Sequence, residues 1–366
     1  MDETRLDGLL EKFPSLHILV AGDFFLDKYL IIDPALSEIS LETGLEAFQV
    51  VEIRHSPGAA GTVVSNLRAL EIQVSAVGVI GQDGLGFDLR QDLLQMGVNI
   101  DGLIEAPDRF TPTYTKPMLR SADSPERELN RLDIKNRQLL SAQNEAVVTA
   151  QLERLVPGVD GVIIADQVQE RNCGVITDGV RATLARLAQA HPSKPFAADS
   201  RVRIGEFEQV IIKPNLHEAE AAVQAWADHL PPEARIRAEP LSSPQKAEID
   251  GLAPARMYGS TLFQKNQKPV FVTLGVHGIL VVSGSGLEHV PGVPVTGEID
   301  IVGAGDSVMA GLMAGLCAGG TAKEAAFLGN MAASITIQQL GTTGTASRQQ
   351  LRQRFGEPNT PNDRDK

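Results

Sequence analysis

Leu16-His17-Ile18-Leu19-Val20-Ala21-Gly22-Asp23 is a short apolar run, rich in β-branched residues, that stops at a Gly-Asp turn. A run of that length bounded by turn residues is a buried strand. Similar runs follow at 74–80, 161–165, 210–212, 270–274 and 279–282. Between them the apolar spacing becomes helical over 62–70, 87–96, 143–155, 172–190, 218–229 and 305–318. Strands alternating with helices of this length build βαβ units, so the fold class is α/β around a mainly parallel sheet. Ligands of such sheets collect beyond the carboxyl ends of the strands.

Two segments break the rhythm. Residues 30–54 and 111–132 carry too many β-branched and alternating positions for helix, and they read as strands of a small accessory sheet, a lid over the site. Residues 229–268 read as a polar surface excursion with one helical piece at 244–252, and the Pro, Asn and Asp-rich tail from 356 reads as disordered. One domain over 1–355 is expected.

Composition narrows the function. Of 366 residues 43% are apolar and 22% charged, an ordinary globular balance, and Asp plus Glu outnumber Lys plus Arg by 46 to 33. A net charge of −13 repels nucleic acid and anionic membranes, and only 4% aromatics leaves few stacking platforms. No run of 18 apolar residues and no basic apolar leader is present, and Cys173 and Cys317 match no metal or redox spacing. A cytoplasmic protein is expected, with neither membrane nor nucleic acid as partner.

The chemistry concentrates in Asp300-Ile301-Val302-Gly303-Ala304-Gly305-Asp306-Ser307, which opens an apolar helix stopped by Gly319-Gly320. A glycine turn at a helix N-terminus aims backbone N–H groups at one point, where the helix dipole favours anions. Asp306 places a carboxylate beside those amides, and phosphoryl transfer needs that combination. The same dipole is expected to lower the Asp306 pKa, which makes proton acceptance late in the transfer.

With these residues in view, the sequence from about 16 to 347 resembles the PfkB/ribokinase family of carbohydrate kinases. Gly303 to Asp306 matches its C-terminal signature. Within the family it looks most like the heptose-7-phosphate kinase branch of ADP-heptose synthesis, on His17 to Asp23 leading to Asp27-Lys28-Tyr29, Thr113-Tyr114-Thr115-Lys116, Leu129-Asn130-Arg131-Leu132-Asp133 and Gly341-Thr342-Thr343. The resemblance implies a ribokinase-like three-layer α/β/α fold with a β-sheet lid. It also implies ATP, Mg²⁺ and a monovalent cation such as K⁺ as cofactors, and a homodimer joined through the lid strands.

Residue by residue, the resemblance makes Asp306 the general base and the amides of Gly303, Ala304 and Gly305 an anion hole. Asp27, Gly58, Ala59, Thr62 and Asn66 fall on the sugar segment; a carboxylate such as Asp27 can accept two hydrogen bonds from a vicinal diol. Lys116 and Arg131 are candidates for a substrate phosphate. Asn215 and Glu218 match the Asn-x-x-Glu element that positions phosphate and, indirectly, magnesium. Thr273, Gly275 and Gly278 belong to the nucleotide loop, with His277 facing solvent, and Asn330 lies near the base. Asp300 aligns with the monovalent-cation ligand. The glycines of 78–86 read as structural, since their spacing misses the dinucleotide fingerprint.

Three departures stand out. Ala59 replaces the second glycine of the sugar segment, Thr62 replaces its usual Asn, and Gln167-Val168-Gln169-Glu170 after Asp166 lacks a lysine expected near the phosphates. They keep open a second reading, a catalytically degenerate kinase-like protein that binds nucleotide or a partner. A P-loop, a zinc-protease helix and a nucleophile elbow are absent from the sequence. The branch's second, nucleotidyl-transfer activity needs an appended domain, and with so few residues after 347 the chain is expected to be the kinase half at most.

Overall fold

The computed structural model describes residues 1–121, 124–228 and 252–357. His17–Gly22 lies near the middle of a nine-stranded sheet, flanked in parallel by Gln73–Gly81 and Gly161–Asp166. Beyond Gln73–Gly81 comes Asn99–Ala106, parallel. On the other side follow Phe196–Ser200, Ile211–Ile212 and Val270–Thr273, all parallel, and then Ile279–Ser283 and Gly286–Val290, antiparallel. The chain leaves His17–Gly22 in one direction and returns on its other side, so a crevice opens between the carboxyl ends of His17–Gly22 and Gly161–Asp166.

Alternation along the central strand sorts its side chains onto two faces. Ile18 and Val20 pack with Val64, Leu67, Met309, Leu312 and Leu328 from helices Ala60–Ala69, Ala304–Cys317 and Ala322–Thr336. Leu19 and Ala21 pack with Val148, Leu152, Val180, Leu184 and Tyr258 from helices Ala142–Leu155, Asp178–Ala190 and Leu252–Asn266. The three layers expected from the sequence are present. Helices 304–317 and 322–336 approach closely because Gly311 faces Gly329: a Cβ on Gly311 would lie 2.8 Å from Leu328 O.

A second sheet carries Leu132–Ile134, Thr113–Ser121, Phe24–Ile32 and Val50–Ala59 in that order, with Ser124–Glu128 paired to Thr113–Ser121. Its position in sequence differs from the expected 30–54 and 111–132. It begins at Phe24, directly after the central strand, and reaches Ala59. Between its first two strands lie a Pro34–Leu36 turn and a two-residue hairpin, because Asp33-Pro34 and the Thr43-Gly44 pair interrupt any long strand.

Other boundaries also move. Helix 172–190 starts only at Asp178, where Thr177 caps it by accepting the Val180 N–H at 3.1 Å. Of the supposed surface excursion, Leu252–Asn266 is a helix with Ala255, Tyr258 and Leu262 in the core. Most of the expected 244–252 helix and the tail from 358 lie outside the described residues, while Gly356 itself closes helix Arg348–Gly356. Strands 99–106, 196–200 and 286–290 and helices 3–10 and 348–356 were not anticipated. Among the described residues no helix is long and apolar enough to cross a membrane.

Ala59 carries backbone strain. Its φ is 54° and ψ is −117° immediately before helix Ala60–Ala69, a region that glycine enters freely and alanine does not. Ala59→Gly is therefore expected to stabilise the protein by about 1 kcal/mol in urea unfolding. A lowered midpoint would show that the methyl group contributes more by packing than it costs in strain.

Candidate active site

The glycine turn ends in Gly303, which caps helix Ala304–Cys317 with φ 79°. Any Cβ there would also lie 2.8 Å from Thr343 Cγ2, so glycine is required twice over. Ser307 N–H donates to Gly303 O at 3.0 Å and Ala304 N–H to Ile301 O at 3.2 Å. Ala304 thus spends its amide on the turn, contrary to its expected place in an anion hole. The first-turn N–H groups of Gly305 and Asp306 make no hydrogen bond among the described residues, and they are the open donors of this terminus.

Asp306 borders a cavity of about 870 Å³ together with Asp199, Arg201, Lys213, Asn215 and Glu218. Burial pushes its carboxyl up to about 7, Asp199 and Asp27 push the same way, and Lys213 and Arg201 oppose them. The sequence led to the opposite direction. Desolvation and two like charges outweigh the dipole at this site.

Lys213 is buried, with Nζ 3.0 Å from Asp199 Oδ2. Burial works to lower its pKa, but Asp199, Glu218 and Asp306 outweigh that and keep it charged. A Cβ on Gly305 would lie 3.7 Å from this ammonium, so a fixed cation rests beside the turn. Asn215 and Glu218 form a reciprocal cap of helix Leu216–Asp228: Glu218 N–H donates to Asn215 Oδ1 and Asn215 N–H to Glu218 Oε2, both at 2.8 Å. Burial, with Asp199, raises the Glu218 pKa despite the Asn215 N–H, Lys213 and Arg201. The motif's spacing is therefore what a capping box demands, and the cap orients both side chains at the cavity edge.

Thr273, Gly275 and Gly278 line the same cavity. Gly275 has φ 58° and Gly278 φ 89°, and a Cβ on Gly278 would fall 2.2 Å from Val290 O. His277 between them is exposed, as expected. Asn330 also borders the cavity, but its Nδ2 donates to Val290 O and Pro291 O at 3.1 and 3.0 Å. It fixes the wall rather than offering those donors to a ligand. Asp300 Oδ1 accepts the Val302 N–H at 3.0 Å within its own turn.

On the second sheet, Asp27 is buried and Lys116 Nζ stands 3.3 Å from its Oδ1, which has no hydrogen-bond partner of good geometry. Lys116 also donates to Tyr29 OH at 3.2 Å and lies 4.8 Å from that ring's centroid. Gly58 leaves the space Asp27 occupies: a Cβ there would lie 2.6 Å from Asp27 Oδ2. Thr62 is buried near the turn, 3.4 Å from where a Gly303 Cβ would be. Asn66 departs from its sugar-segment reading, since its Nδ2 donates to Thr62 O at 3.0 Å inside the helix.

A smaller cavity of about 170 Å³ lies under Tyr114, bounded by Asp23, Arg109, Arg131, Lys135 and Arg201. Arg131 stacks 4.1 Å over the Tyr114 ring and forks onto Asp133 at 2.6 and 2.9 Å. Its wall is the segment 167–175, pinned by Asp23: Oδ2 accepts Gln167 and Val168 N–H at 2.8 and 3.0 Å, and Oδ1 accepts Val175 N–H at 2.7 Å. Burial and Asp166 push Asp23 up to about 6 against those three bonds. Asp199, Arg201 and Lys213 escaped the sequence reading, and Asp23 entered it only as the end of the first strand's motif. All sit at carboxyl ends of sheet strands, the one signal that could have found them.

An α/β sheet with a second, smaller β-sheet, a half-buried carboxyl at an open helix terminus and a cleft that holds buried cations define a phosphotransferase that acts on a sugar hydroxyl. Comparison with known proteins fixes the particular group: residues 30–349 match the pfkB family carbohydrate kinase model, and the chain belongs to that family. The bifunctional protein HldE of Trichlorobacter lovleyi is 29% identical over 94% of this chain and 64% of its own length. HldE of Nitrosococcus oceani is 31% identical over 94% of this chain and 65% of its own. The chain thus spans about two thirds of the length of these relatives.

Solved structures show the ribokinase-like fold. Escherichia coli phosphofructokinase-2 in complex with potassium superposes with a TM-score of 0.64 at 19% identity, over 93% of this chain and 98% of that one. Arabidopsis thaliana ribokinase complexed with ribose and ATP gives 0.63 at 16% identity, over 94% and 99%.

Proposed function

We propose that this chain transfers the γ-phosphate of ATP to a hydroxyl of a sugar phosphate, with Asp306 as general base. The observation that carries the reading is Asp306 itself: a carboxyl held near pKa 7 beside the open Gly305 and Asp306 N–H groups, in one cavity with Lys213, Asn215 and Glu218. A base poised near the working pH accepts a proton most effectively. The HldE relatives favour a heptose 7-phosphate as the acceptor.

In this reading the nucleotide lies against Thr273, Gly275 and Gly278 with its phosphates toward Lys213. The Asp27 carboxylate takes a sugar hydroxyl, and Lys116, 3.3 Å from its Oδ1, holds it in place. The acceptor's own phosphate occupies the smaller cavity, beside Arg131 and Lys135. Asp306 takes the proton of the attacking hydroxyl while the two open amides hold charge on the migrating group.

Magnesium fits the donor set through water. Asp199, Glu218 and Asp306 supply hard oxygens on one wall, yet among the described residues no three such side chains converge to hold an ion directly. Bound there, the ion would neutralise phosphate charge. Asp300 is the side chain we assign to a monovalent cation beside the turn. One kinase unit over residues 1–355, with the second sheet as its lid, and a cytoplasmic location complete the reading.

Purified protein given ATP, magnesium and potassium is expected to phosphorylate heptose 7-phosphate in preference to ribose, fructose 6-phosphate or a nucleoside, read by mass spectrometry. Preference for another sugar would remove the heptose assignment and leave the kinase. No turnover on any of them would remove both. The lid exposes Leu36, Ile39, Leu41, Leu45, Ile53 and Leu132, an apolar surface that a second copy would cover. Light scattering is expected to report a homodimer, and a monomer would reject that assembly.

A further inference from the structure

An acceptor whose own phosphate sits in the smaller cavity while its hydroxyl reaches Asp306 in the larger one must lie against the residues common to both, next to the migrating phosphoryl group. The larger and smaller cavities share Gln167, Gln169 and Arg201 in their linings, and of these only Arg201 carries charge. Its backbone N–H donates to Asp166 O at 3.2 Å, at the end of strand Phe196–Ser200. Its Nε donates to Gln167 Oε1 at 2.9 Å, and Gln167 is in turn anchored through its own N–H to Asp23. That holds one edge of the guanidinium, and the described hydrogen bonds leave the Nη groups uncommitted.

The other cations nearby are differently engaged. Lys213 is paired with Asp199 and borders only the larger cavity; Arg131 is forked onto Asp133 and borders only the smaller. Arg109 donates to Gln138 O at 3.0 Å and to Cys173 O. Burial raises the pKa of Asp306, Glu218 and Tyr114, and Arg201 opposes that rise at all three, from Asp306 and Glu218 on one side and Tyr114 on the other, which places its charge between the two compartments.

We propose that Arg201 is the cation that stabilises the migrating phosphoryl group, contacting its peripheral oxygens as the P–O bond to the nucleotide breaks and the bond to the acceptor oxygen forms. The inference rests on the kinase reading above. A guanidinium suits the role because its planar donors can span two phosphate oxygens, whereas an ammonium offers a point charge. An arginine supplied in this way accelerates phosphoryl transfer by about 10³-fold or more in other phosphotransferases.

The test compares wild type, Arg201→Ala and Arg201→Lys, with circular dichroism to confirm folding. Arg201→Ala is expected to lower kcat by about 10³-fold while the acceptor KM changes by less than about threefold, and Arg201→Lys to recover part of the loss. A raised acceptor KM with kcat intact would make Arg201 a substrate-phosphate ligand and overturn the proposal, as would a kcat within about threefold of wild type. Calorimetry with ATP and ADP separates this from the function reading. If wild type turns over no acceptor, the kinase reading falls; loss of ATP-over-ADP preference in Arg201→Ala would still support the arginine's place at the γ-phosphate, and an unchanged preference would overturn it.

Discussion

Asp306→Asn is expected to lower kcat by about 10³-fold or more, close to 4 kcal/mol of barrier, while nucleotide affinity stays near that of wild type. The substitution keeps the size of the side chain and removes its ability to take a proton. Activity within about tenfold of wild type would reject Asp306 as the base.

The pH profile supplies an independent reading. Because the carboxyl titrates near 7, kcat/KM is expected to fall as the pH drops through that value. Asp199 is one of the charges that raises it, and Asp199→Asn also frees Lys213 to act on it. Both changes lower the Asp306 pKa, so the acid limb moves down in that variant. A limb that stays in place would assign it to another group.

Stability shifts in the opposite sense to activity. A carboxyl whose pKa is raised on folding leaves the native chain holding a proton that the unfolded chain has released, between about 4 and 7. The charged form therefore works against folding above 7, and that penalty fades as the pH falls toward 4. Asp306→Asn escapes it, so the variant is expected to melt above wild type at pH 8, with the gap closing on acidification. A lower Tm at pH 8 would show that the carboxylate is stabilising where it stands.

Arg203→Ala has the largest expected effect on the fold. Arg203 is buried, donates to Asp166 Oδ1 at 2.8 Å and Gln169 O at 2.8 Å, and also bonds Val168 O. Asp166 is buried as well, and its other oxygen accepts Ser200 Oγ–H at 2.6 Å. Burial raises the Asp166 pKa even with Arg203 in place. Removing the guanidinium leaves a buried carboxylate next to Asp23, at a cost of about 3–5 kcal/mol in chemical denaturation.

The sign of its pH dependence follows. Without Arg203, Asp166 holds a proton still more strongly in the native state, so the deficit is greater at pH 8 than at pH 5. Because segment 167–170 borders both cavities, acceptor KM is expected to rise in the same variant. A loss under about 1 kcal/mol, equal at both pH values, would mean that water replaces the arginine.

Much of this architecture was legible in the chain. Leu16 to Ala21 stands out because a strand covered on both faces must be apolar throughout, and the 303–306 turn because a helix that opens on an anion needs glycine where a Cβ would collide. The lid was visible as broken periodicity but not in its bounds, since strand 24–32 follows the central strand without a loop and its burial depends on partners 18 residues and more away. Strand 196–200 was missed because its short, Ala-containing, mixed sequence carries little periodicity of its own.

Sequence alone determined the α/β class, the family resemblance, the acidic turn at 303–306 and the Asn215/Glu218 pair, because each rests on neighbours within a few positions. Only the tertiary structure decided the state of Asp306: its pKa is set by burial and by Asp199, Asp27, Lys213 and Arg201, groups 93 to 279 positions away in the chain. The same holds for Arg201 between the cavities and for Asp23 beneath the 167–175 segment. Charge and desolvation act through space, and the order of residues does not record which strand ends will meet.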